Sequence, residues 1–203
     1  MRQKYNFLLE NSVEIMTKVY EFLATGFEEV EALAPVDVLR RAGIDVKTVS
    51  ITGERTVTGA HGVGIVADVL IEEVTDWDEA TLLILPGGMP GATNLRDHEG
   101  VRSAVVAQAA AGRDVAAICA APLVLGSVGV LEGKKATCYP GFENHLTGAT
   151  YTAELVTVDG NIVTGAGPAA ALPFAYTLLS RIKGEATADT IQRQMLVKDY
   201  PSA

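Results

Sequence analysis

Two cysteines, Cys119 and Cys138, are too few among 203 residues for a disulfide framework. They point to a reducing compartment, read here as the cytoplasm. Basic side chains are scarce: 16 Lys and Arg stand against 25 Asp and Glu, a formal net charge of -9. Without a clustered basic face a nucleic-acid partner is excluded. No apolar run is long enough to span a bilayer, so no membrane partner is expected. The chain has three histidines. His61 falls in a small hairpin, His98 at a helix start and His145 beyond a turn, and none has the spacing of a zinc ligand set or of a base for a cysteine nucleophile. Pro86-Gly87-Gly88 lacks the Lys-Ser/Thr of a phosphate-binding loop. The expectation is a protein with no metal and no cofactor. There is also no internal repeat, low-complexity segment or composition break, and the length suits one sizeable domain.

What is present is alternation of short apolar runs with helical spacing. Residues 1–15 lack the apolar core and cleavage site of a signal peptide, and Met16-Thr17-Lys18 resembles a start just before the first strand. They read as an N-terminal tail, with an extra helix on Phe7, Leu8 and Leu9 as the alternative. A single domain is expected over residues 16–198. Residues 19–24 predict the first strand. A helix over 28–41 follows, with Val30, Leu33, Ala34, Val38 and Leu39 facing the core, a kink at Pro35 and Gly43 at its end. Strands are expected at 45–51, 81–85, 115–118 and 135–138, a peripheral hairpin at 57–66, and a second hairpin at 154–164 turned by Asp159-Gly160. Helices are expected at 99–111, 168–183 and 186–197. This order predicts an α/β fold, a doubly wound, mostly parallel sheet with helices on both faces. Ligands of such sheets bind at the carboxyl ends of the strands, so the loops at 25–31, 86–91 and 119–121 should converge on one crevice.

Cys119 stands at the sharpest of these junctions. Val115 to Ile118 is a wholly apolar run, and Pro122 suits a first helical turn. A cysteine squeezed between them resembles a nucleophile elbow. A following helix N-terminus would favour thiolate over thiol. The bland alternative is a small buried hydrophobe. Glu28, Glu29 and Glu31 suit the first helix's N-terminus through its dipole, but Glu31 could instead project toward Cys119. In apolar surroundings its pKa would rise, and the acid could shuttle a proton. Gly87 and Gly88 either expose backbone N–H groups to a ligand, with the Gly88 and Ala120 amides as an oxyanion hole, or simply make a tight turn. Cys138 reads as structural, with a resolving cysteine as the lesser alternative.

The motifs Gly26-Phe27-Glu28-Glu29-Val30-Glu31, Pro35-Val36-Asp37-Val38-Leu39-Arg40-Arg41-Ala42-Gly43, Leu85-Pro86-Gly87-Gly88 and Ala117-Ile118-Cys119-Ala120-Ala121-Pro122 resemble the ThiJ/PfpI superfamily, most closely its parkinsonism-associated deglycase branch. The resemblance runs from about residue 17 to 198. It implies a flavodoxin-like sandwich and a homodimer whose interface includes the first helix. It also implies an oxidation-sensitive Cys119 bonded to a protonated Glu31, with the Gly88 and Ala120 amides near the sulfur. Activities implied by the branch are cofactor-free conversion of methylglyoxal to lactate, removal of early glycation adducts, redox sensing and chaperone action. The partners so implied are small reactive carbonyls or glycated protein. Ala120 stands where peptidase-like and amidotransferase-like members carry histidine, which argues against an intracellular cysteine peptidase or amidase. Tyr139, before Pro140, replaces a histidine of many members. A neutral phenol is a poor proton acceptor but can orient a substrate oxygen, which places Gly87, Tyr139 and Pro140 in the expected substrate pocket. Ala166 stands where some members carry an arginine.

Overall fold

The computed structural model describes residues 17–197, so the tail expected over residues 1–15 lies outside the described residues. The described residues open with β1 (Lys18–Leu23) and α1 (Glu29–Arg41), then β2 (Asp45–Ser50). A hairpin of β3 (Thr56–Thr58) and β4 (Gly64–Val66) follows, then the short β5 (Val69–Leu70) and β6 (Ala80–Leu85). Next come α2 (Gly91–Asp97), α3 (Glu99–Ala110), β7 (Asp114–Ile118) and α4 (Pro122–Ser127). The last part holds β8 (Lys135–Ala136), β9 (Thr150–Tyr151), β10 (Val156–Asp159), β11 (Ile162–Gly165), α5 (Ala171–Lys183) and α6 (Glu185–Gln194).

Seven strands form the main sheet in the order β10-β11-β7-β6-β1-β2-β5. Every neighbouring pair is parallel except the edge pair β10–β11. The central strands β6 and β7 are almost wholly apolar because helices cover both faces, as parallel sheets require. Ile84, Leu85, Ala116, Ala117 and Ile118 are fully buried. α5 packs with both α1 and α6, and α2 packs with both α3 and α4. All the parallel strands end on one side, so the loops after β1, β6 and β7 meet there.

Several expectations need correction. The hairpin is not peripheral. Val57 packs with Leu23, Phe27 and Ala32, and Gly26 N–H donates to Thr58 O at 2.8 Å, so the hairpin clamps the loop after β1. Val30 and Leu33 are exposed and Ala34 is half-buried, whereas Val38 and Leu39 are buried as expected; α1 also buries Glu31, Ala32, Pro35 and Val36. Turning Glu31 inward rotates the stripe past Val30 and Leu33. Helix α2 was hidden by Pro90 and Gly91, which read as breakers, whereas Pro90 takes the N-cap, where no helical N–H is needed. The strand expected over 135–138 stops at Ala136 and pairs with β9, outside the main sheet. Thr137 N–H donates to the Thr164 hydroxyl rather than to a ladder carbonyl, which takes Thr137 and Cys138 out of the strand.

Candidate active site

β7 stops at Ile118 because Cys119 takes φ +64, the left-handed region that side chains rarely adopt. Such a conformation costs of order 1–3 kcal/mol and persists only where its surroundings impose it. Here they do. Cys119 N–H donates to Gly165 O at 2.8 Å, and Cys119 O accepts from Tyr139 N–H at 2.8 Å. Ala121 N–H closes the turn onto Ile118 O at 3.0 Å, and Pro122 opens α4. Cys119 is left 8% exposed. The elbow expected from the sequence is therefore present as a strained turn pinned on both sides.

Two further loops complete the site. After β6, Gly87 N–H donates to Glu31 Oε2 at 3.0 Å, and Gly87 O accepts from Glu28 N–H at 2.9 Å. A Cβ on Gly87 would lie 2.5 Å from Glu31 Oε2, 2.6 Å from Cys119 Cβ and 2.9 Å from Ile118 O. Glycine is thus dictated by close approach of three segments. Gly88, with φ +85, turns its N–H toward the Cys119 sulfur, where the Ala120 N–H also donates. After β1, Glu28 caps α1 by accepting from Glu31 N–H at 2.7 Å. Glu31, the third residue of α1 and the donor to that cap, is fully buried and lies against the Cys119 thiol. Among the described residues its Oε1 has no hydrogen-bond partner.

The electrostatics depart from the sequence expectation at one point. Burial pushes the Cys119 thiol up to about 12, the Glu31 carboxyl pushes it the same way, and the Gly88 and Ala120 amides pull it down only in part. The favourable helix N-terminus is weak because α4 has only six residues. Glu31 follows its expectation: burial raises it to about 7, Glu28 adds to the rise, and the Cys119 thiol and Gly87 N–H oppose it. Two acids facing each other in a dry pocket titrate as a pair. The first proton leaves near neutral pH and the second is retained far longer.

Tyr139 and Pro140 are exposed beside the elbow, and the Tyr139 ring lies over Gly167. Gly87, Gly88, Ala120 and Tyr139 are thus gathered around Cys119 and Glu31. Other candidates are not. Cys138 is buried and pushed up to about 11 by burial and then by Glu143, so the two thiols have different charged neighbours. His98 caps α3, accepting from Val101 N–H, and His145 packs against the Phe142 ring. His61 lies in the hairpin turn, as expected, and there its ring Nδ1 lies 2.7 Å from Glu29 Oε2 and its N–H donates to Glu29 Oε1. Among the described residues, Glu28, Glu29 and His61 bring possible metal ligands within 4.8 Å of one another, a grouping that linear spacing concealed. These carboxylates are already engaged as a helix cap and as a clamp on the hairpin. The sequence reading missed Gly165 and Gly167, which support the elbow and the Tyr139 ring. Their only trace was the run of small residues Gly165-Ala166-Gly167 after β11.

Residues 17–181 match the DJ-1/PfpI family. "Protein DJ-1 homolog A" of Arabidopsis thaliana is 41% identical over 182 residues, 88% of this chain and 46% of the relative. The chain therefore spans about half the length of that relative. "Deglycase PH1704" of Pyrococcus horikoshii is 36% identical over 155 residues, 75% of this chain and 91% of the relative. Among solved structures, oxidized Toxoplasma gondii DJ-1 superposes with a TM-score of 0.84 at 36% identity, covering 89% of this chain and 98% of that one. Among the described residues no helix is long and apolar enough to cross a membrane. With the parallel sheet, the Cys119 elbow and these likenesses together, the chain belongs to the DJ-1/PfpI family.

Proposed function

We propose that this protein is a cysteine-dependent stress-protective enzyme that converts reactive 2-oxoaldehydes to hydroxy acids without a cofactor. One observation carries the reading: a cysteine on a strained turn, faced by a buried carboxyl with a free oxygen and by two backbone N–H groups. The Cys119 thiolate adds to the aldehyde carbon of methylglyoxal, and the aldehyde oxygen takes the proton held on Glu31, giving a hemithioacetal and a Glu31 carboxylate. The Glu31 carboxylate so formed removes the C1 proton through Oε1 to give an enediolate; the C1 hydroxyl proton passes to the C2 oxygen, and Glu31 returns its proton to C2. The product is a lactoyl thioester. Water cleaves it, giving lactate and restoring the thiol. The Gly88 and Ala120 amides hold the oxyanion that develops beside the sulfur. In the reactive form the one proton the pair retains near neutral pH resides on Glu31 and the charge on sulfur. The name of the Pyrococcus relative extends the candidate substrates to glycated protein.

The test is lactate formation from methylglyoxal, without glutathione or metal, by the protein and by Cys119→Ala. Turnover lost in the variant supports the reading; equal turnover in both removes it. A second reading, an oxidation-sensing or chaperone protein, draws on Tyr139 in place of a histidine, since oxidation needs only a thiolate. Mild peroxide followed by intact-mass analysis should oxidise Cys119 ahead of Cys138; equal oxidation rules the sensor out. The homodimer belongs to this same proposal. The exposed Val30 and Leu33 of α1 and Leu172 of α5 supply apolar surface for it, and sedimentation velocity reads the outcome.

A further inference from the structure

We propose that Tyr139 sets substrate choice at Cys119 by offering its ring as a stacking platform, so that 2-oxoaldehydes with an aryl or other planar apolar substituent are preferred to methylglyoxal. The inference rests on the carbonyl-converting reading above and names its substrate class.

Three observations carry it. The first is position. Tyr139 N–H donates to Cys119 O at 2.8 Å, so the residue is tied to the backbone of the nucleophile itself. The second is support. A Cβ on Gly167 would lie 3.1 Å from Tyr139 Cδ2 and 3.6 Å from Cε2, so the ring rests on bare backbone. Gly167 follows two residues after Gly165, whose carbonyl holds Cys119 N–H. Ring and nucleophile are therefore mounted on the same short segment and keep a fixed relation. The third is availability. Tyr139 is 47% exposed, and its hydroxyl has no hydrogen-bond partner among the described residues. An exposed aromatic pinned in this way has little conformational entropy to lose on binding and presents a free face. Around it the elbow is small and apolar, with Ala120 and Ala121 buried and Pro140 and Pro168 exposed at the rim. A methyl group gains little from such a face. A phenyl group gains an offset stack, and the free hydroxyl can donate to the ketone oxygen.

The experiment compares phenylglyoxal with methylglyoxal for the native protein, Tyr139→Phe and Tyr139→Ala. Stacking on one ring corresponds to roughly two- to tenfold in rate. The ratio of kcat/KM for phenylglyoxal over methylglyoxal should fall by that factor in Tyr139→Ala and stay within twofold of native in Tyr139→Phe. A second measurement needs no turnover. Cys119 alkylation by phenacyl bromide, in which sulfur displaces bromide, is compared with alkylation by iodoacetamide, with mass spectrometry counting adducts. The aryl preference should again fall in Tyr139→Ala only. Ratios unchanged by Tyr139→Ala in either assay overturn the proposal. A native protein that turns over neither aldehyde, yet shows the Tyr139-dependent aryl preference in alkylation, refutes the enzyme reading and retains the platform as a binding feature.

Discussion

Glu21 offers the sharpest test of the packing argument. It lies on β1 at the centre of the sheet, level with Thr48 of β2 and Ile84 of β6. Its neighbours Tyr20 and Phe22 both pack on Trp77, the first tilted and the second stacked, so Glu21 points to the other face of the strand. It is fully buried, and neither carboxyl oxygen has a hydrogen-bond partner. The one charged group that acts on it is Arg40 of α1, whose guanidinium is committed to Val46 O and Asp68. Burial holds the carboxyl well above its ordinary 4.5, with Arg40 opposing only weakly. Glu21→Met keeps a similar length and removes the polar atoms. An unsatisfied buried polar group costs about 1–3 kcal/mol. For a chain of this size that is about 2–4 °C in Tm per kcal/mol, so the variant should melt several degrees higher at pH 7. The pH dependence is a separate signature. Because the folded-state pKa is raised, the native protein keeps its full stability below pH 4.5 and loses it as pH rises toward the folded value. The slope is about 1.4 kcal/mol per pH unit in that window. The Tm gap between variant and native protein should therefore widen from pH 4.5 upward. Parallel Tm curves, or a variant less stable than native at pH 7, would show that Glu21 is ionised and paired, and refute the reasoning.

Two further outcomes probe the site. In Gly87→Ala the new methyl group meets Cys119 Cβ and the Ile118 carbonyl, so the elbow must shift; a displacement near 1 Å should cut aldehyde turnover about a hundredfold while circular dichroism stays native, and unchanged turnover would contradict the close approach. In the native protein the rate of Cys119 alkylation should rise through an inflection near pH 7, where the Glu31–Cys119 pair loses its first proton. In Glu31→Gln only the buried thiol titrates, so the inflection should move above the ordinary thiol range near 8.5. An unmoved inflection would separate Glu31 from the thiol.

Much of this architecture was legible in the sequence because it follows from local chemistry. Apolar runs ending at Leu85 and Ile118 could only be buried strands of a parallel sheet, and Cys119 with Pro122 just beyond left no room for anything but a sharp turn. The Asp159-Gly160 hairpin was equally plain. Motif resemblance placed Glu31 beside Cys119, although the two lie far apart in the chain. What the tertiary structure alone decided are properties that depend on atoms from several segments at once. Gly87 is needed because Glu31, Cys119 and Ile118 all press on its Cα. The hairpin clamps the first loop because Glu29 reaches His61 and Val57 reaches Phe27. Tyr139 lies against bare backbone because Gly167 has no Cβ to crowd its ring. The direction of the thiol's pKa was misread from the sequence for the same reason. A helix start is visible in one dimension, but desolvation is the sum of everything packed around the sulfur, and here it outweighs a helix of six residues.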